Sequence, residues 1–172
     1  MQLTQKEKIL LEDQKKHEEM CIKKYREASQ KANDPQLKQL FSTFAEQEQQ
    51  HYQTVEQIIN GQVPAMQQGS QSGSQSSQAS SKMGKQQRFQ GEQQAGLNMS
   101  SPTTGLASQE DADLCNDLLM TEKYVSGAYD TTIFECTDSH VRQTLNHIQK
   151  EEQQHGEGIF NYMQQNGMYQ PS

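Results

Sequence analysis

The chain has 172 residues, 30 of them Gln, with 31% hydrophobic residues, no Trp and a formal net charge of −7, at a mean hydropathy of −1.03. That length fits one domain or two small ones, and no apolar run approaches the roughly 20 residues of a bilayer-spanning helix, which excludes a membrane span. So polar an average leans toward disorder, but the polarity is concentrated. Residues 61–109 hold 12 Gln and 10 Ser, whereas residues 1–60 and 110–172 carry regularly spaced apolar residues. Residues 1–60 are net −1, residues 61–109 net +2 and residues 110–172 net −8. An acidic second half argues against nucleic-acid binding, which needs clustered Lys and Arg. The start, MQLTQKEKILLEDQKK, lacks the apolar core of a secretory signal. Cys21, Cys115 and Cys136 form no C-x-x-C, which excludes a rubredoxin-type iron site, a zinc ribbon and a disulfide framework. The expectation is synthesis in the reducing cytoplasm.

Four helices are predicted, in chain order. Thr4-x-x-Glu7 is a capping box, followed by Leu11, Cys21, Ile22, Tyr25, Ala28 and Ala32 at helical spacing. Asn33-Asp34-Pro35 ends that helix and starts the second, with Asp34 as N-cap and Pro35 in the first turn. The second stripe is Leu37, Leu40, Phe41, Phe44, Ala45, Tyr52, Val55, Ile58 and Ile59, stopped by Gly61. The Gln/Ser-rich residues 61–108 offer too little apolar surface to repay ordering and read as a flexible crossover. Ser108-x-x-Asp111 caps the third helix, with Leu114, Cys115, Leu118, Leu119, Val125, Tyr129, Ile133 and Cys136 inward. Asp138 caps the fourth, with Val141, Leu145, Ile148, Ile159, Phe160 and Met163 inward, and Gly167 and Pro171 lie beyond its end. Helices of about 25 to 30 residues are ~40 Å long, enough for an all-α four-helix bundle. The organisation expected is a helical hairpin over 1–60, a crossover over 61–108 and a second hairpin over 109–172. A flexible crossover of that length spans about 35 to 40 Å, the full bundle, and would bring the third helix beside the second. It also permits hairpin exchange between two chains, a route to a homodimer.

The two hairpins are copies offset by 104 residues. Asp34-Pro-Gln-Leu-Lys-Gln-Leu-Phe aligns with Asp138-Ser-His-Val-Arg-Gln-Thr-Leu, and Glu48-Gln-Gln-His51 with Glu152-Gln-Gln-His155, without a gap. Polar residues stand on the inward stripes of both copies: Glu18, Glu48 and His51 in the first, Glu122, Glu152 and His155 in the second. Four buried carboxylates as free charges would each cost several kcal/mol, and two divalent ions would compensate them. A Glu from each of two helices plus Glu-x-x-His from each of the other two is the ligand pattern of dinuclear carboxylate bundles. At i and i+3 a carboxylate and an imidazole share one helix face and can share one ion. Glu48 and Glu152 would bridge, while Glu18, Glu122 and the histidines would each complete one ion. Such a set suits iron or manganese, with iron preferred. Tyr25 and Tyr129, seven residues after Glu18 and Glu122, read as outer donors that orient carboxylates. The alternative is a set of Glu–His pairs that hydrogen bond without metal.

His17, His140 and His147 fall outside the inward set and are expected to face solvent. The three cysteines read as small hydrophobes. The Met-rich ending NYMQQNGMYQPS reads as a docked or frayed tail.

Glu18-x6-Tyr25 followed by Phe41-x3-Ala45-x2-Glu48-x2-His51 resembles the first half of a rubrerythrin or other ferritin-like di-iron protein, and the second copy completes the six-ligand set. The resemblance covers about 120 residues. No rubredoxin cysteines follow, and Val125 stands where rubrerythrins carry an extra carboxylate. The second hairpin, from Leu114-Cys-Asn-Asp-Leu-Leu-Met-Thr-Glu-Lys-Tyr to Gly167-Met-Tyr, resembles the spore coat protein F (Coat F) family. That resemblance implies a ferritin-like fold, deposition in the spore coat and other coat proteins as partners. Two roles follow: a structural and protective coat component, or a di-metal oxidoreductase of ferroxidase, peroxidase or catalase type.

Overall fold

The computed structural model describes residues 2–62 and 108–168, and each of its helices starts at a capping side chain. Helix α1 (Gln5–Lys31) begins at the Thr4/Glu7 capping box, with both reciprocal hydrogen bonds formed. Helix α2 (Pro35–Ile59) starts after Asp34, which accepts from the Gln36 N–H. Helix α3 (Gln109–Glu135) starts after Ser108, which accepts from the Asp111 N–H. Helix α4 (Ser139–Gln165) starts after Asp138, which accepts from the N–H groups of His140 and Val141. The 104-residue repeat holds at every helix boundary except the last, where α4 runs two residues longer than α2.

Both hairpins end in the same way. Gly61 (φ 80°) and Gly167 (φ 68°) adopt the left-handed conformation that a helix stop requires. Gly61 N–H donates to Ile58 O and Gln62 N–H to Gln57 O, while Gly167 N–H donates to Gln164 O and Met168 N–H to Met163 O. Each pair of bonds satisfies carbonyls left open by the last turn.

Helix α1 packs on α2 and α3 on α4, and the hairpins meet through α1 against α3 and α2 against α4. The expected neighbour of α3 was α2, so this is a correction, and its cause is a set of polar links that hold α1 and α3 antiparallel. Gln14 Nε2 donates to Thr132 Oγ1 at 2.8 Å, and Lys24 pairs with Asp117 at 2.8 Å. Glu7 and Asp111, equivalent in the repeat, tie each hairpin's start to the other hairpin's turn. Glu7 Oε1 accepts from the Thr137 N–H at 2.7 Å and its hydroxyl at 2.9 Å. Asp111 accepts from the N–H groups of Asn33 and Asp34 at 2.7 and 3.2 Å. Ser108 therefore lies at the α1–α2 turn, where Asn33 Nδ2 reaches its hydroxyl at 3.1 Å, and Gln62 lies at the far end of α2. Apart from its first two residues and its last, the crossover expected over 61–108 lies outside the described residues.

Apolar residues fill both ends of the bundle. Leu11, Val55, Ile58, Ile133, Val141 and Leu145 occupy the end nearest the α3–α4 turn, and Ala28, Leu37, Phe41, Cys115, Ile159 and Met163 the other, all buried. Each Leu, Ile, Val, Phe or Met side chain among them contributes about 1.5 to 3 kcal/mol by leaving water. Leu40, Tyr52, Leu114, Leu119 and Phe160, also expected inward, are half-buried at the edge of the core, whereas Tyr162, absent from the predicted stripe, is buried. Its hydroxyl donates to Asp34 Oδ2 at 2.7 Å, tying α4 to the α1–α2 turn. Met168 packs on the core, and residues 169–172 of the Met-rich ending lie outside the described residues. No helix among the described residues is long and apolar enough to cross a membrane.

Candidate metal centre

Between the two apolar ends lies a polar band. All six carboxylate and imidazole residues singled out by the repeat are buried in it, none more than 3% exposed. They form two overlapping groups, Glu18, Glu48, His51 and Glu152, and Glu48, Glu122, Glu152 and His155, whose ligating atoms lie within 4.8 Å of one another. Glu48 and Glu152 belong to both groups. The arrangement repeats the internal symmetry, exchanging Glu18 with Glu122, Glu48 with Glu152 and His51 with His155.

Each imidazole aims Nδ1 into the band. His51 Nδ1 lies 3.0 Å from Glu152, 3.5 Å from Glu48 and 3.7 Å from Glu18. His155 Nδ1 lies 3.0 Å from Glu48, 3.7 Å from Glu122 and 3.8 Å from Glu152. The rings stack with centroids 5.7 Å apart, and Phe44 covers His155 at 4.4 Å. That close approach uses Gly158, where a Cβ would stand 2.8 Å from Phe44 Cζ.

Tyr25 and Tyr129 are fully buried, and each serves the opposite hairpin: Tyr25 donates to Glu122 Oε1 and Tyr129 to Glu18 Oε1. One oxygen of each carboxylate is thereby fixed, and Oε2 of Glu18, Glu48, Glu122 and Glu152 has no hydrogen-bond partner. Four such oxygens in one buried band fit cations, which need acceptors with free lone pairs.

The outer face of each imidazole has a partner that the spacing did not disclose. His51 Nε2 lies 3.0 Å from Glu151 Oε2, and His155 Nε2 lies 3.0 Å from Gln47 Oε1. These are equivalent positions in the repeat, each just before a Glu-x-x-His motif, so the two halves differ by one carboxylate.

Protons offset the charge of this band. Burial pushes Glu18 up to about 8 against the pull of His51, and burial together with neighbouring carboxylates holds Glu152 well above its ordinary value. Burial also opposes ionisation of Glu48, but the hydrogen bond with His155 and the nearby His51 imidazole outweigh it and bring Glu48 down to about 2. Burial disfavours both imidazolium ions, yet the hydrogen-bonded carboxylates of Glu151 and Glu152, with Glu18 nearby, raise His51 well above its usual range. The nearby Glu122 carboxylate and the hydrogen bond to Glu48 raise His155 to about 9. Metal ions would displace protons from such a site.

The remaining candidates stand apart. His140 and His147 are exposed. His17 is half-buried rather than solvent-facing, because Tyr124 of α3 covers its ring edge-on at 5.3 Å. The three cysteines are free and buried. Their counterparts in the repeat are Val125 for Cys21, Leu11 for Cys115 and Ala32 for Cys136, all apolar, and burial pushes the Cys115 and Cys136 thiols up to about 12 and 11. They fill apolar slots as neutral thiols.

Fold and site together define a four-helix bundle with a carboxylate–imidazole core. Residues 110–172 match the family model of the Coat F domain, and residues 10–87 match that of rubrerythrin. The chain is thus Coat F-like in its second hairpin and rubrerythrin-like, a ferritin-like class, in its first. Neither the comparison with curated proteins nor that with solved structures finds a match.

Proposed function

We propose that this is a spore coat protein of ferritin-like fold whose core binds two metal ions, iron ahead of manganese, and that its role is structural and protective in the spore. The observation that carries the metal reading is the set of four Oε2 atoms without a partner, grouped around two imidazoles in a fully buried band. A buried charge left uncompensated costs several kcal/mol, and two cations remove that penalty. Glu18 with His51 would hold one ion, Glu122 with His155 the other, and Glu48 and Glu152 would bridge. One imidazole among several carboxylate oxygens suits iron or manganese. The Coat F match supports the coat location and other coat proteins as partners.

When bound, such ions supply Lewis acidity and one-electron exchange with small oxidants. The chain's own residues supply position. Tyr25 and Tyr129 fix the rotation of Glu122 and Glu18, Glu151 and Gln47 fix the imidazole rings, and the apolar layers on both sides keep bulk water out. The rubrerythrin match favours a second reading, a di-metal oxidoreductase of ferroxidase, peroxidase or catalase type.

Metal analysis of the full-length protein, stripped and reloaded with Fe(II) or Mn(II), tests the site. Two ions per chain are expected, and both should be lost in Glu48→Ala and in Glu152→Ala. Negligible metal after loading overturns the reading. Peroxide and Fe(II) consumption then separates the roles: turnover supports the enzyme, and two ions without turnover support the structural component.

A further inference from the structure

Because the chain is a repeat, the groove on one hairpin has a counterpart on the other, and their differences are informative. On the α1–α2 side a groove of about 510 Å³ is lined by Glu19, Ile22, Arg26, Gln49 and Tyr52, among others. On the α3–α4 side a groove of about 540 Å³ is lined by the equivalents Lys123, Ser126, Asp130, Gln153 and Gly156. Only the second reaches the candidate metal centre. Its lining includes Glu122 and Glu152, whereas the first groove's includes none of the six.

The substitutions between the copies account for this. Bulky Ile22 and Tyr52 line the first groove where small Ser126 and Gly156 line the second. A Cβ at residue 156 would stand 3.9 Å from Glu122 Cβ and 3.6 Å from Leu119 Cδ1. A larger side chain there would therefore lie directly over Glu122. Arg26 also spans the first groove, donating to Gln49 Oε1 at 3.2 Å. Its equivalent is Asp130, so the guanidinium that bridges the first groove has no counterpart in the second. Gln149 Nε2, donating to Ser126 O at 2.9 Å, braces α3 against α4 beside the opening.

We propose that the α3–α4 groove is the path by which a small hydrated divalent cation reaches the centre. This rests on the metal reading above and adds a direction to it: one face of a pseudo-symmetric bundle admits ions and the other is plugged. The groove removes most of the barrier that close-packed side chains otherwise present. Glu122 and Glu152 are at most 2% exposed, so the final step is a swing of one of these carboxylates, with its free oxygen meeting the ion. The free carboxylate oxygens at the floor offer the cation lone pairs.

Stopped-flow uptake of Co(II) by the full-length, metal-stripped protein tests the path, with circular dichroism confirming the fold of each variant. Gly156→Tyr, which installs the plug of the first copy, should slow uptake at least about tenfold while leaving the final stoichiometry unchanged. Ser126→Ile fills the same groove from α3 and should also slow uptake, which keeps the test sound if Gly156→Tyr does not fold. Adding Tyr52→Gly to the Gly156→Tyr variant opens the other face and should recover the rate. Uptake by Gly156→Tyr and Ser126→Ile at the unaltered rate overturns the path but not the site. Failure of the unaltered protein to bind Co(II), Fe(II) or Mn(II) overturns the site and the path together.

Discussion

Tyr25 of α1 donates its hydroxyl to Glu122 of α3, the carboxylate of the opposite hairpin. Tyr129 returns the same bond to Glu18. Each half of the repeat therefore orients a candidate ligand of the other half, and the core is one unit built from two hairpins. Tyr25→Phe removes the donor and leaves the buried Glu122 Oε1 without it. A buried acceptor left unsatisfied costs about 1 to 3 kcal/mol, so the metal-free variant should melt lower by that equivalent. Loss of an outer hydrogen bond to a ligand weakens metal affinity by about 10- to 100-fold. Chelator competition should show that loss in Tyr25→Phe, and again in Tyr129→Phe at the other half.

The carboxylate that stands behind one imidazole and not the other makes a second prediction. Glu151 backs His51 and Gln47 backs His155. A carboxylate behind an imidazole makes it a stronger donor, so the ion held by His51 should bind more tightly. Titration with Mn(II) should resolve two unequal steps. Glu151→Gln should weaken the tighter step by about tenfold and bring the two together, and Gln47→Glu should strengthen the weaker one. Two equal steps in the unaltered protein would show that the outer partner has no influence.

The four helices and the polar band were legible because their determinants are local. Thr4/Glu7, Asp34, Ser108 and Asp138 cap within three residues of themselves, and Glu18, Glu48, Glu122 and Glu152 declare their inward direction by helical spacing from Leu, Ile and Phe neighbours. What spans hairpins was not legible. Tyr25 stands seven residues after Glu18, but its partner is Glu122, a choice made by the antiparallel register of α1 and α3. Gln47 and Glu151 carry no spacing signal toward the site, yet both reach across to the other hairpin's histidine. Glu7 and Asp111 were read as caps alone, and the interhelical bonds of their carboxylates depend on turns far away in sequence. Comparison of the copies carried information that neither copy held by itself, as with Cys21 against Val125.

Gly158 permits Phe44 to lie over His155. In Gly158→Ala the methyl group meets a ring packed against Tyr25 and the His155 imidazole, and a ring edge in a packed core yields little. Overpacking costs about 1 to 3 kcal/mol, against a gain of about 1 kcal/mol in helix propensity. The expected result is a net loss of about 1 kcal/mol in denaturant unfolding, together with a shift of the His155 ring resonances. Stabilisation with unchanged resonances would mean that Phe44 moves freely.

Glu7 sets the acid limit of the fold. Burial opposes its ionisation, but the N–H and hydroxyl groups of Thr137 and Thr4 outweigh that and bring it from 4.5 down to about 2. A carboxylate with a lowered folded-state pKa binds fewer protons in the folded chain than in the unfolded one. Its contribution is therefore fully present above pH 4.5 and is lost as the pH falls from there toward 2. The shift corresponds to at most about 3 kcal/mol. Because Glu7 both caps α1 and joins its start to the α3–α4 turn, part of that energy acts within the helix and part between hairpins. Urea unfolding of Glu7→Gln at pH 7 should show a loss of about 2 kcal/mol. Between pH 4.5 and 2.5 the gap to the unaltered protein should narrow, since protonation of Glu7 takes from the unaltered protein what the substitution has already removed from the variant. A constant gap across that range would mean that the Thr137 bonds, and not the charge, supply the stability.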